Sequence, residues 1–189
     1  MNVFYGSLSL QRRENHCVLL HSESDKEYVR RGGYLTVFLK KDLRTQEEME
    51  LFRVPLKGAT ARMVRPGLFL LSCIRDNARP NIEAMPEKAR AEALEEWRLE
   101  EDFEVCDELP FLSDGRGFIN KERRALYLYD TGKQELVELT ERDFETSFST
   151  VDPDGRYIVF SGVSYDRFYV RPHGIYRYDV ETGRTSTLL

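Results

Sequence analysis

Short apolar runs recur along the chain, each bounded by Gly, Pro, Asp, Asn or charged residues. The clearest are Cys17–His21, Tyr34–Leu39, Glu50–Leu56, Leu68–Ile74, Leu126–Tyr129, Glu135–Leu139, Tyr157–Phe160 and Ile175–Tyr178. Aromatic and β-branched side chains suit a pleated, half-buried surface. In Ile175–Val180 (IYRYDV) successive residues address opposite faces, as a strand requires. Runs this short, at this spacing, predict an antiparallel all-β protein and not βαβ units. One segment has another period. Between Pro86 and Asp102 (PEKARAEALEEWRLEED), Ala89, Ala93 and Trp97 stand four apart with Leu94 beside them. Pro86 suits a first helical position, and the spacing predicts an amphipathic helix. Its stripe is thin and rich in Ala. It is expected to lie on the β-structure as an inserted, solvated cover, with partner binding as the alternative.

The hairpin Ser149–Gly162 (STVDPDGRYIVFSG) tests whether the strands repeat. Pro153 presets one corner of its turn, and Asp154-Gly155 tolerates positive φ. Downstream, Ile175–Leu189 (IYRYDVETGRTSTLL) echoes Leu126–Thr140 (LYLYDTGKQELVELT): strand, Tyr-Asp, a turn with Gly, then a second strand. Tyr129 and Tyr178 stand 49 apart. Upstream, Pro110–Asn120 (PFLSDGRGFIN) shares Asp-Gly-Arg with the 152–156 turn, placing Gly115 and Gly155 40 apart. About 40–50 residues holding four short strands is the period of a β-propeller blade. Three strands within residues 16–56 form a first blade. Residues 61–66 and 68–74 open a second, which 104–107 would close after the helix. The expected fold is an incomplete β-propeller over residues 1–189: about four blades of four antiparallel strands, with a helical insertion at about 86–102. Ile158 and Phe160 are expected to pack between blades.

The 152–160 turn and strand resemble the Ser-Pro-Asp-Gly blade turn of the prolyl oligopeptidase family, with Asp152 in place of Ser. Residues 126–130 and 175–183 resemble that family's outer hairpin. The order of a charged helix ending in Trp97-Arg98, an extended segment, Asp114–Phe118, a basic stretch and Leu126-Tyr127 is similar to an early-blade insertion of acylaminoacyl peptidases. The resemblance is good over residues 86–189 and weak over 1–79. Its blade motifs are shared with other propellers, TolB-like ones among them. It implies a non-catalytic propeller that gates access of small peptides to an α/β-hydrolase domain carrying a Ser, Asp and His triad. That domain lies outside this chain. The partners it implies are therefore the hydrolase domain of the same parent and a peptide substrate. An open arc of blades also predicts self-association through its uncovered faces. A stand-alone propeller that binds protein or peptide, with no enzyme attached, is the alternative, and a small propeller enzyme with its own site is a weaker one.

Candidate chemistry within the chain is sparse. A nucleophile elbow needs Gly-x-Ser-x-Gly. Gly6–Leu10 has the wrong spacing, and Gly162–Asp166 (GVSYD) lacks the final Gly. No catalytic residue and no cofactor are expected. His16 and His21, five apart on one strand, face opposite sides, and His173 stands in a loop, so no metal site is expected. Asp107-Glu108 diverge along the chain, and Asp152 and Asp154 already serve a turn, so neither pair reads as an acid/base couple. The loop Tyr165–His173 (YDRFYVRPH) is aromatic and basic. Tyr165, Arg167, Tyr169 and Arg171 are the candidate peptide contacts; a blade-edge hairpin with exposed side chains is the other reading. The net charge of -5 and pI near 5.4 disfavour nucleic acid as a partner. The longest uninterrupted apolar stretch, Leu68–Leu71, is far short of a membrane span. The first residues lack a secretory pattern, which leaves the cytoplasm as the expected location. The three cysteines, Cys17, Cys73 and Cys106, are widely spaced and expected as small buried hydrophobes in a reducing compartment.

Overall fold

The computed structural model describes residues 9–13, 16–79, 81–82, 85–99, 106, 108–109, 112–114, 117–166, 169–170 and 172–189. Three antiparallel sheets follow one another along the chain. Blade 1 holds β1 (Ser9–Arg13), β2 (His16–Ser24), β3 (Thr36–Asp42) and β4 (Glu48–Val54), in that spatial order. A five-residue helix, α1 (Lys26–Arg30), joins β2 to β3; the Asp25 carboxylate accepts from the Glu27 and Tyr28 amides and caps it.

Blade 2 holds β5 (Lys57–Arg65) and β6 (Leu68–Asp76). After an insertion it is completed by β9 (Glu122–Asp130) and β10 (Glu135–Glu138). The insertion carries α2 (Glu87–Leu99) and the hairpin β7 (Leu112–Ser113) with β8 (Gly117–Phe118). Blade 3 holds β11 (Phe144–Val151), β12 (Tyr157–Asp166), β14 (Gly174–Asp179) and β15 (Arg184–Thr187), with β13 (Tyr169–Val170) paired to the end of β12.

This is an incomplete β-propeller. Among the described residues it has three blades where the repeat suggested about four. The difference is the insertion. Asp76 of β6 pairs directly with Glu122 of β9, so residues 77–121 leave the sheet and return to the same register. Blade 2 is therefore closed by β9 and β10, not by residues 104–107, of which only Cys106 is described. The outer hairpins β9–β10 and β14–β15 are equivalent: Asp130 faces Glu135 and Asp179 faces Arg184, both pairs shifted by 49 positions. The Asp-Gly-Arg echo does not carry over into the strand pairing around it. The blade 2 counterpart of the 152–156 turn is Arg65-Pro66-Gly67, between β5 and β6. Asp114 belongs instead to the β7–β8 hairpin inside the insertion, and Gly115 and Arg116 lie outside the described residues. Asp-Gly favours any tight reversal, and so it marks two unrelated ones.

Blade 2 is the centre of the packing, because both its faces are apolar. Phe69, Leu71, Cys73, Ala125 and Tyr129 face blade 1 and pack with Leu20, Phe38, Phe52 and Val54. Leu68, Leu70, Leu126 and Leu128 point the other way and pack with Phe144, Ile158, Phe160 and Tyr178 of blade 3. Ile158 and Phe160 thus lie between blades, as the strand pattern predicts. Rings reinforce the packing: Phe52 stands 4.7 Å from Phe38 within blade 1 and 4.8 Å from Tyr129 across the seam to blade 2, and Phe160 stacks on Tyr176 at 5.4 Å within blade 3. Two buried hydroxyls tie blade 1 to blade 2. Thr36 accepts from the Ala59 amide at 3.2 Å while donating to the Leu56 carbonyl of the link at 2.7 Å, and Ser22 donates to the Ala59 carbonyl at 2.9 Å.

The helix α2 buries none of its residues. Trp97 lies under the Arg79 guanidinium, 5.9 Å from the ring centre. The anchor of the insertion is Ile82, fully buried beside Gly32. The cysteines divide. Cys73 is buried between blades 1 and 2, which pushes its thiol up to about 12. Cys106 is exposed, contrary to the expectation, because it stands in the irregular part of the insertion. The Cys17 side chain lies outside the described residues.

Candidate functional site

The meander topology gives the molecule two unlike poles. Turns between first and second strands, and between third and fourth, fall at one pole and are short: 66–67, 131–134 and 180–183 are examples. Connections between second and third strands fall at the other. These are the long ones: 25–35 with α1, 77–121 with α2, and the loop after β12 with β13. Blade-to-blade links 55–56 and 139–143 lie at that pole too. A rigid sheet scaffold presenting its variable segments on one side is how binding surfaces are usually built.

Of the candidate contacts Tyr165, Arg167, Tyr169 and Arg171, Tyr165 and the backbone of Tyr169 belong to this pole. Arg167 and Arg171 lie outside the described residues, and of Tyr169 only the backbone is described, paired with Asp166 in β13. Tyr165 is half-buried. Its ring covers the Arg123 guanidinium, 4.0 Å away, and burial raises its phenol while the arginine pulls it back. Arg123 in turn forks onto Glu108, with Nη1 2.9 Å and Nη2 2.6 Å from the two carboxylate oxygens. The side chains are 2% and 9% exposed, so this is a buried ion pair. Glu108 also accepts from the Lys121 amide at 2.5 Å. The pair roots the insertion in blade 2 and gives blade 3's loop a fixed foot. Glu108 is therefore a structural anchor; its neighbour Asp107 lies outside the described residues. Sequence reasoning missed the pair. The available signal was alternation: in Glu122–Asp130, Arg123 is in step with the buried Ala125.

A cleft of about 490 Å³ opens at the same pole between blades 1 and 2. Leu56 and Ile74 supply apolar wall, and Tyr34 and Tyr127 bring phenols into it. Lys57 donates to Glu122 at 2.8 Å and lies 5.4 Å from the Tyr34 ring centre. Burial raises the Tyr34 phenol, against the pull of Lys57. Asn81 fixes the rim: its amide donates to the carbonyls of Tyr34 at 2.9 Å and Pro55 at 3.3 Å. Arg75 is spent on structure, binding Glu138 and the carbonyls of Thr140, Glu141 and Arg142.

The remaining candidates have structural roles or none. Ser164 lies within β12, paired with Phe144, and not on a strand-to-helix turn. Asp152 accepts from the Tyr157 amide at 2.9 Å and shapes its turn. His21 lies 3.1 Å from Glu48. Among the described residues no cluster of His, Cys, Asp and Glu could hold a metal ion, and no helix is long and apolar enough to cross a membrane.

No protein-family model and no curated protein matches the sequence. Solved structures do match the fold. An acylaminoacyl peptidase in complex with Z-Gly-Gly-Phe-chloromethyl ketone superposes with a TM-score of 0.51 at 15% identity. The uncomplexed acylaminoacyl peptidase of Pyrococcus horikoshii does so with a TM-score of 0.50, also at 15% identity. Each match covers 96% of this chain and 32% of the other, so the chain spans about a third of those peptidases. An oligogalacturonate lyase in complex with manganese is also similar, at 14% identity and a TM-score of 0.46, over 94% of this chain and 43% of that one. The likeness to the two peptidase structures, at 15% identity, establishes a shared propeller-type fold alone.

Proposed function

We propose that this chain is the non-catalytic propeller portion of a cytoplasmic serine peptidase resembling acylaminoacyl and prolyl oligopeptidases, limiting access of small peptides to a hydrolase domain. The observation that carries the reading is the sidedness of the fold. All three long connections and the 490 Å³ cleft open at one pole, which would face that domain and the peptide. The fold likeness to acylaminoacyl peptidases supports it. A fluorophosphonate probe is expected to leave this chain unlabelled, Ser164 included, and specific labelling of any serine would overturn the assignment. The transcript read past Leu189 should continue into a Gly-x-Ser-x-Gly elbow. A stop codon there would favour a stand-alone binding module, a reading that the self-contained cleft between blades 1 and 2 also suits.

Self-association belongs to the same proposal. In blade 2 the face toward blade 3 is Leu68, Leu70, Leu126 and Leu128; the same register positions in blade 3 are Tyr157, Val159, Ile175 and Arg177. Phe148, 59% exposed, pairs with Ser161 on that face. Arg177 shields part of it by lying 4.8 Å from the Tyr157 ring centre. An apolar sheet face without a cover favours association in water. Sedimentation velocity at high concentration should show a dimer or larger species, and Phe148→Lys should shift it toward monomer. A clean monomer of the unaltered chain would refute this.

A further inference from the structure

We infer that the cleft between blades 1 and 2 is a binding site for a small organic carboxylate with an apolar body, whether or not a hydrolase domain is attached. The chain as a whole is acidic, at -5. The cleft has the opposite balance: Lys57, Arg75, Arg79 and Arg142 line it against Asp76 and Glu138, with Lys57 taken up by Glu122 beside it, which leaves cations in excess by one. Each carboxylate is committed. Glu138 is held by Arg75, and Asp76 accepts from the Ala78 and Arg79 amides at 3.0 and 2.8 Å. The cations are not all committed. Arg142 gives one bond, from Nη2 to the Asn77 carbonyl at 3.0 Å, and Arg79 lies against Trp97 without an acidic partner among the described residues.

Two phenols complete the polar set. The hydroxyls of Tyr34 and Tyr127 make no hydrogen bond among the described residues, and a phenol carries its proton at neutral pH. Phenols and guanidinium groups lining one cleft are a donor set for an oxyanion, and planar guanidinium groups match a carboxylate in particular. Leu56 and Ile74 form apolar wall, which suits a ligand with a hydrocarbon body better than a bare inorganic anion. The volume, about 490 Å³, holds a molecule of roughly ten to fifteen heavy atoms.

The probe is 3-phenylpropionate, titrated into the intact chain by calorimetry, with its amide and inorganic phosphate in parallel. Saturable binding of the carboxylate is expected, with little for the amide. Tyr127→Phe and Arg142→Gln should each weaken it about tenfold, the usual effect of losing one bond to a charged group. Tyr34→Phe separates binding from folding, since it removes a hydroxyl that makes no hydrogen bond among the described residues and should weaken binding without shifting the melting temperature. Equal binding of acid and amide would overturn the inference, as would phosphate binding more tightly than the acid. No binding at millimolar concentration would overturn it as well.

Discussion

Gly155→Ala is expected to destabilise the chain by roughly 2–4 kcal/mol, combining a left-handed backbone with overpacking. The two costs have separate sources. Gly155 has φ of +68°, where an L side chain is strained by about 1–2 kcal/mol. A Cβ built there would also stand 2.3 Å from the Val64 carbonyl oxygen, in backbone that cannot rotate away. Val64 is the extra residue of a bulge in β5, between Met63, which faces Phe69, and Arg65, which faces Leu68. A bulge bends its strand and redirects local groups. Here it brings a blade 2 carbonyl against the blade 3 turn. Gly67, the counterpart in blade 2, separates the costs: its φ is +82°, but its Cβ would meet only the Thr131 hydroxyl, at 3.4 Å. Gly67→Ala should cost only the conformational part, about 1 kcal/mol. The measurement is denaturant unfolding of both variants. If Gly155→Ala cost no more than Gly67→Ala, the close approach of the blades at Val64 would be wrong.

That contrast also shows what the sequence could reveal. The turn's shape was legible, because Pro153 and Gly155 are what such a reversal demands of the backbone. The outer hairpins were legible for the same reason, since Tyr-Asp followed by a Gly turn recurs with the strands that flank it. The repeat misled where it rested on turn chemistry alone. Asp114 and Asp154 are each followed by Gly-Arg in sequence, but Asp114 belongs to a hairpin inside the insertion and Asp154 to a blade turn, and only strand pairing distinguishes them. β11 (FETSFSTV) was missed upstream of residue 149 because its Thr and Ser positions dilute the apolar signal, although Phe144 and Thr146 are buried. α1 was missed because five residues carry no period, only the Asp25 cap. The site was less legible still. The cleft draws Tyr34, Tyr127 and Arg142 from three separate connections or strands, and none of these residues has a motif around it.

Arg123 is the largest case of a role the sequence hides, and Arg123→Met should cost about 3–5 kcal/mol, the usual effect of stranding one member of a buried ion pair. The variant keeps much of the side chain's volume but leaves Glu108, 8% exposed, with a single remaining bond among the described residues, from the Lys121 amide. A buried carboxylate cannot recover that loss from solvent. The pair itself need not stabilise the fold on balance: Arg123 Nε is buried and has no hydrogen-bond partner, a further cost of bringing the guanidinium inside. The double variant Arg123→Met with Glu108→Leu should therefore recover most of the loss, to within about 1–2 kcal/mol of the parent. What it would not recover is the foot under blade 3's loop. The Tyr165 ring packs on the guanidinium, not on the carboxylate. Hydrogen exchange of the Tyr165 and Val170 amides should therefore stay accelerated in the double variant, even where global stability returns. Two readouts keep the roles apart. Denaturant unfolding reports the ion pair, and exchange at β13 reports the ring contact. A single variant costing under about 1 kcal/mol, the range of exposed pairs, would show that Glu108 and Arg123 reach solvent and do not root the insertion. Restored protection at Val170 in the double variant would show that Tyr165 is positioned by its strand alone.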